Sequence, residues 1–228
     1  MKKTILALGA VSGLTLLMAS SAFAHIYEIT VTNKMADELI APVLVADTKY
    51  DDKIFTGDYV TPAAKVQVLT GDPAELAAAI GSGAKVAHGA DGPPGVLLAP
   101  RGAITFQIET NADALRIFAM VAPTKVPDNY LTGVFDLSTA QYESMMDDDM
   151  MDDDTMSDDK MDDDMSSDSM SDDDMMDDSM MAAETMTMDD GSTEIELARY
   201  DIGDDEGTNT ITSVRGMGFA SVTIKRIK

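Results

Sequence analysis

The sequence predicts an all-β antiparallel β-sandwich with one short helix and one long acidic insert. Three observations support this fold class. Short segments with a β-type pattern recur along the chain, turn-rich stretches separate them, and a single segment carries both the start and the stop signal of a helix. Many short strands at loose spacing, with little helix between them, are typical of an antiparallel sandwich.

The first predicted strand shows the β pattern most clearly. Over residues 26–32 apolar and polar side chains alternate, which puts Tyr27, Ile29 and Val31 on one face of a half-buried strand. Comparable short patterns predict further strands at residues 42–45, 65–69, 103–109, 115–121, 193–200 and 219–227.

The predicted helix spans residues 73–80. Asp72 is a suitable N-cap, Pro73 suits the first helical position, and Glu75 lies where a capping box needs its acid. Gly81 then ends the helix. At about two turns, this helix decorates a β domain and does not form its scaffold.

The N-terminus has the pattern of an export signal. Two lysines precede an apolar run over residues 5–18, and residues 22–24 match the small-x-small cleavage pattern. The apolar run is too short for a transmembrane anchor. We therefore expect residues 1–24 to be a cleaved signal peptide, and the mature chain to begin at His25 in the periplasm or outside the cell.

The composition excludes several classes of site and partner. The 228 residues include no cysteine, which excludes disulfides, thiolate metal sites and cysteine nucleophiles. The net charge is −25, but residues 141–190 alone hold 19 Asp, two Glu and one Lys. The remaining chain is mildly acidic, so we expect no nucleic-acid partner, because nucleic acid requires a basic surface. No later segment is apolar enough to predict a membrane span.

Residues 144–192 form a predicted disordered insert between two parts of one sandwich, residues 25–143 and 193–228. Methionine recurs about every five residues in the insert, with Asp and Ser between. A helix turns by about 500° over five residues, so these methionines would form no stripe. Because aromatic and β-branched residues are scarce, the insert cannot bury enough surface to offset the entropy of ordering it.

The insert leaves two functions open. Aspartates bind hard divalent cations such as calcium, whereas thioethers prefer soft ions such as Cu(I) or silver, so the insert could buffer metals in the cell envelope. The other reading is a solvated spacer that keeps the protein soluble and extended by charge repulsion.

Catalytic motifs are absent from the sequence, and we expect no enzyme activity. The chain has two histidines, His25 and His88, and it lacks the motifs of serine hydrolases, zinc proteases and nucleotide-binding enzymes. An N-terminal His25 could chelate copper, but a copper site of that kind needs a second well-placed histidine.

The segment 200–207 puts four acidic side chains into a glycine-containing loop at a strand end. Calcium takes six to eight oxygen ligands from carboxylates and backbone carbonyls, and such a loop can supply several. The spacing does not match an EF-hand, so a solvated acidic turn is the alternative interpretation.

An ordered series of short segments runs through the predicted sandwich. These are residues 26–33, 41–45, 55–57 and 75–80, the loop 92–102 with the strand 103–108 that follows it, the methionine-containing 119–124 that ends in Pro-Thr, and the turn Tyr200-Asp201-Ile202-Gly203. In this order they resemble the bacterial members of the spondin N-terminal domain family. The resemblance covers most of residues 26–136 and 194–227.

The resemblance implies an eight-stranded antiparallel sandwich, similar to calcium- and lipid-binding sandwich domains, with an adhesion-type binding role toward an envelope or extracellular protein or surface. It also implies a metal site at the loop end, for which calcium is the expected ion. Asp201 is the best match for a family acid and Asp205 the next. The family's Pro-Thr is followed by Asn-Asp, whereas Lys125 and two further residues here precede the nearest acid, Asp128. With Glu206 from the same loop, these acids are the predicted metal ligands.

Overall fold

The computed structural model describes residues 24–92, 95–122, 128–140, 185–188 and 190–228. Within these residues the chain is mainly β-strand with a few short helices, and its large antiparallel sheet is nearly closed into a sandwich-like fold. The predicted fold class is therefore confirmed.

The described residues form thirteen strands and three α-helices. In chain order the strands are β1 (His25–Asn33), β2 (Leu39–Ile40), β3 (Val43–Asp47), β4 (Phe55–Thr56), β5 (Tyr59–Val60), β6 (Ala84–Ala87), β7 (Ala103–Thr110), β8 (Ala114–Ala122), β9 (Asn129–Asp136), β10 (Thr185–Thr187), β11 (Thr193–Asp201), β12 (Thr212–Ser213) and β13 (Ala220–Arg226). The helices are α1 (Asp51–Ile54), α2 (Pro62–Thr70) and α3 (Ala74–Ile80).

The main sheet runs in the order β6-β3-β8-β9-β11-β13-β1-β7, and every neighbouring pair is antiparallel. Strand β11 joins its two halves. Residues 193–197 pair with β13, whereas residues 198–201 pair with β9. One strand therefore passes from one layer of the sandwich to the other.

The main core lies between these two halves of the sheet, because strands of both contribute buried side chains to it. Ile29 and Val222 come from one half, and Ile117 and Leu131 from the other. The alternation predicted for β1 is confirmed, since Tyr27, Ile29 and Val31 are buried and the intervening residues are half-buried. Full burial of a side chain of this size stabilises the fold by about 1.5–3 kcal/mol.

A second core lies between the helices and the opposite face of β3, β8 and β9. Val68 of α2 and Leu76 of α3 pack there with the buried ring of Phe118. The rings of Phe118 and Tyr130 are 5.0 Å apart, and Tyr130 stacks on Tyr200 at 5.6 Å. These aromatic pairs tie three adjacent strands together beneath the helices.

The predicted strand at residues 65–69 is wrong, because these residues belong to α2. Their alternating pattern resembles a strand, but the flanking residues specify a helix. The Thr61 hydroxyl accepts a hydrogen bond from the Ala64 N–H (3.3 Å), Pro62 occupies the first turn, and Gly71 ends the helix with φ +76°. Each is a standard helix-terminus signal.

The predicted helix at residues 73–80 is confirmed as α3. Asp72 Oδ1 accepts a hydrogen bond from the Ala74 N–H at 2.9 Å, and Gly81 follows the last helical residue with φ +76°. No helix of the described residues has the length and apolar character needed to cross a lipid bilayer.

Seven of the thirteen strands were not predicted, namely β2, β4, β5, β6, β9, β10 and β12. Strand β9 is buried on both faces over its first four residues, so its sequence has no period-two alternation. Strand β10 lies in residues assigned to the insert, and its pairing with β11 brings the chain back into the sheet at Thr185, before the predicted boundary. Residues 144–184 and residue 189 of the insert lie outside the described residues.

Candidate metal centre

The sheet topology brings two distant parts of the sequence together at one edge. Strand β9 begins at Asn129 and β11 ends at Asp201, and the antiparallel pairing places these two residues opposite each other. Asp128, which precedes β9, therefore lies beside the loop that follows β11. We call this loop, residues 202–211, the acidic loop.

The four predicted ligands converge there. Asp128, Asp201, Asp205 and Glu206 each offer one carboxylate oxygen, and these four oxygens lie within 4.8 Å of one another. We call this group the acidic cluster. Asp128 is buried, Asp201 is half-buried, and the other two acids are exposed. The cluster therefore extends from the protein interior to solvent.

Asp128 is the innermost member of the cluster. Its Oδ2 accepts hydrogen bonds from the Asp204 N–H (2.8 Å) and the Asp205 N–H (3.3 Å), which fixes the start of the acidic loop. Its Oδ1 is buried and has no hydrogen-bond partner in the described part of the chain. Leaving a buried acceptor unsatisfied costs about 1–3 kcal/mol, and more for a charged group. This oxygen is therefore open to a proton or a cation.

The electrostatics of the acidic cluster favour an added positive charge. Burial raises the pKa of Asp128, two backbone N–H donors partly oppose this, and the charges of Asp201 and Asp205 raise it further. A side-chain hydrogen bond that protonated Glu206 donates to the Asp205 carboxylate raises the pKa of Glu206. Both acids hold a proton more readily than usual, because the carboxylates crowd one another.

Two neighbours orient the carboxylate of Asp201. Its Oδ1 accepts a hydrogen bond from the Gly203 N–H at 2.6 Å, and its Oδ2 accepts one from Asn129 Nδ2 at 3.2 Å. No sequence pattern marks Asn129 as part of a site. Its place directly after Asp128, opposite Asp201, becomes visible only once β9 is paired with β11.

The acidic loop is docked on α2 and on the β4–β5 hairpin. Lys65 of α2 forms an ion pair with Asp204, and Asn209 Oδ1 accepts a hydrogen bond from the Tyr59 hydroxyl at 3.3 Å. Within the loop, the Gly203 carbonyl accepts from the Thr208 N–H at 2.9 Å. Asp204 thus serves to anchor the loop and is not a member of the acidic cluster.

The other sequence-predicted candidates lie apart from the acidic cluster. The cluster is the one group of three or more acids or histidines that lie close enough to hold a metal ion in the described ranges, and it includes neither His25 nor His88. A side-chain nitrogen of Arg226 lies 2.7 Å from His25 Nδ1. Lys125 lies outside the described residues.

No protein-family model matches this chain, and no curated protein matches it. The metal preference of the acidic cluster is therefore inferred from its ligand atoms. The cluster is an all-oxygen donor set of four carboxylates, which suits a hard cation such as calcium, magnesium or manganese.

Proposed function

We propose that the protein is an exported, non-enzymatic binding domain of the spondin type, which holds one calcium ion at the loop end of its sandwich. In this proposal the sandwich binds an envelope or extracellular protein or surface in an adhesion-type role. The observation that carries the metal part is the buried Asp128 Oδ1, which lacks a protein donor in the described ranges and belongs to a group of four carboxylates.

The spacing of the acidic cluster supports calcium. Calcium–oxygen distances of about 2.3–2.6 Å allow oxygens around one ion to lie up to about 4.6–5.2 Å apart. The oxygens of the acidic cluster lie within 4.8 Å of one another, so they can surround one calcium ion with little rearrangement. The four carboxylates would leave two or more positions for water or backbone carbonyls.

The spondin assignment is supported by the order of the resembling segments and by the place of the acids. The resemblance implies a metal site at the loop end of a sandwich, and the acids that match it lie directly before β9, at the last residue of β11 and in the acidic loop. Export is supported by the signal pattern of residues 1–24, and the non-enzymatic role by the absence of catalytic motifs from the sequence.

Calorimetric titration with calcium tests the site. The insert adds a diffuse background of weak binding, so the parent is compared with variants that carry the same insert. We expect one site above background in the parent, weakened by at least about 100-fold in Asp128→Asn and Asp201→Asn. Asp58→Asn, the same charge change at an exposed turn residue, should bind like the parent. Equal binding by the parent and the two cluster variants would contradict the proposal.

The methionine repeat of the insert supports a second candidate function, the buffering of soft metals in the envelope. Thioethers recurring about every five residues can bind Cu(I) or silver without an ordered scaffold. This function requires binding of soft metals that survives Asp128→Asn, because the two kinds of site use different ligands. Titration of that variant with silver tests it, and no binding would exclude it.

A further inference from the structure

A chain of polar contacts leads from the acidic cluster to the rim of the sandwich. Asn129 donates to Asp201 through Nδ2 (3.2 Å), and its Oδ1 accepts from Arg199 Nε at 2.8 Å. The Arg199 guanidinium in turn donates to both carboxylate oxygens of Glu38, at 2.8 and 3.1 Å. We call Asn129, Arg199 and Glu38 the relay.

Strand geometry explains why these side chains meet. Arg199 and Asp201 are two residues apart in β11 and so project from the same face. Asn129 lies directly opposite Asp201 in β9, where cross-strand side chains are close neighbours. Asn129 and Arg199 therefore occupy strand positions, and neither lies in the acidic loop, which gives Asp201 a fixed support.

Each member of the relay is held in one orientation. Asn129 is 4 % exposed, and because Arg199 Nε is a donor, the Asn129 side chain must turn its oxygen to Arg199 and its amide N–H to Asp201. The Arg199 side chain is 13 % exposed and lies over the Phe219 ring, 5.5 Å from its centroid. These restraints leave the Asn129 amide little freedom to turn away from Asp201.

The backbone turn that carries Glu38 is also held by hydrogen bonds. Asn33, fully buried at the end of β1, donates through Nδ2 to the Glu38 carbonyl at 2.8 Å and accepts from the Met35 N–H at 3.0 Å. Glu38 supplies a carboxylate charge that balances the Arg199 guanidinium. The relay can therefore orient Asp201 without placing an uncompensated positive charge beside a cation site.

We propose that the relay of Asn129, Arg199 and Glu38 positions the Asp201 carboxylate for a bound cation and thereby sets the affinity of the acidic cluster for calcium. The proposal rests on the calcium site proposed above. Asn129 contacts the proposed metal ligand Asp201, and Arg199 contacts Asn129 and Glu38. None of the three is a proposed metal ligand, so they are positioning residues. Partners of this kind typically change metal affinity by about 10–100-fold when removed.

The structure offers a matched control in Arg116 of β8. Arg116 donates to both carboxylate oxygens of Asp51, at 3.1 and 2.7 Å, and its guanidinium lies 5.3 Å from the centroid of the Phe55 ring. It pairs with Val134, five residues along β9 from Asn129, which is about 17 Å. Arg116→Met therefore removes a comparable ion pair and aromatic contact away from the acidic cluster.

The test measures calcium affinity and terbium(III) luminescence lifetimes in H2O and D2O on the full chain. We expect Arg199→Met and Asn129→Ala to raise the Kd for calcium by about 10–100-fold. The lifetimes should show about one additional water on bound terbium, because a released Asp201 carboxylate is replaced by solvent. Arg116→Met should leave both readings at the parent value, even where urea unfolding shows a similar loss of stability.

The results of this experiment distinguish a failure of the relay proposal from a failure of the calcium-site proposal. If the parent binds calcium and the relay variants bind it within twofold of the parent, the relay proposal is overturned while the calcium site stands. If the parent shows no site above background, the calcium proposal itself fails. Should Arg199→Met fail to fold, Glu38→Gln decides, since it keeps the size of the side chain but removes the charge that holds Arg199, and an unchanged Kd would again overturn the relay.

Discussion

Asp128 links the charge of the acidic cluster to pH. Its pKa is raised by burial and by neighbouring carboxylates, so the native state keeps a proton at pH values where the unfolded chain has lost it. The contribution of Asp128 to the stability of the cation-free protein therefore falls as the pH rises from about 4, the ordinary range for aspartate, through the raised pKa. Calcium opposes this loss because it supplies the missing positive charge.

This reasoning predicts two opposite pH dependences. In the presence of chelator, urea unfolding should show the stability of the parent falling relative to that of Asp128→Asn across that window, because the variant cannot ionise at this position. In the presence of calcium, the Kd should rise as the pH falls from 7 to 5, by up to about tenfold per pH unit where one proton is displaced. Identical pH profiles for the parent and Asp128→Asn would contradict the assignment.

The glycines of the acidic loop provide a second prediction at residue scale. Gly203 and Gly207 both have left-handed backbones, with φ +64° and φ +70°. A Cβ at Gly203 would lie 2.1 Å from Thr208 Oγ1, whereas a Cβ at Gly207 would have no atom within 4 Å. Both alanine variants incur the cost of a left-handed residue, about 1 kcal/mol, but only Gly203→Ala adds a clash inside the loop.

We therefore expect Gly207→Ala to lower the free energy of unfolding by about 1 kcal/mol and to keep calcium binding. Gly203→Ala should lower it further, and it should weaken calcium binding because the Gly203 N–H orients Asp201. Chemical denaturation and calcium titration measure the two effects. Equal behaviour of the two variants would show that the tight turn at Gly203 does not shape the site.

At the scale of elements, whether a strand or helix was predicted correctly depended on where in the sequence its characteristic pattern lies. Strand β1 was predictable because its alternation lies within the strand, and helix α3 because Asp72 and Gly81 directly flank the predicted range 73–80. For α2, the alternation of residues 65–69 competed with end signals outside that range, at Thr61 and Gly71, and the end signals specify the helix. Strand β9 has no alternation to read, because both of its faces are buried.

The members of the acidic cluster also differ in whether a local sequence signal predicts them. Asp201, Asp205 and Glu206 are close in sequence, and local spacing is enough to suggest a shared oxygen site. Asp128 entered through the family resemblance, since it is distant in sequence from the loop. The relay could not be predicted, because Glu38, Asn129 and Arg199 meet only through the pairing of β9 with β11 and the turn that follows β1.

At the scale of the whole molecule, β11 separates the described flanks of the insert from the acidic cluster. Both flanks of the segment 141–184 lie against the first residues of this strand, since the Thr193 hydroxyl donates to the Thr139 carbonyl at 3.1 Å and Thr187 pairs with Thr193. The acidic cluster lies at the other end, at Asp201. The eight steps between these ends span about 26 Å, so the points where the segment joins the sheet lie well beyond the Debye length of about 8 Å at physiological salt from the acidic cluster.

Replacing residues 144–184 with a six-residue Gly/Ser linker should therefore leave the acidic cluster unaffected, with its Kd for calcium within about twofold of the parent at physiological salt. The replacement shortens the connection between Ala140 and Thr185 about fivefold. For a segment as disordered as its composition predicts, this should stabilise the fold by about 1.4 kcal/mol through a smaller loop-closure entropy. Calcium titration and urea unfolding measure these effects.

The same replacement decides between the two functions proposed for the chain. If the insert buffers soft metals, binding of Cu(I) and silver must disappear with its methionines, while the calcium site and the sandwich persist. Soft-metal binding that survives the replacement would exclude the insert as the metal buffer. Loss of the calcium site would show instead that the insert supports the acidic cluster, although its flanks lie at the other end of β11.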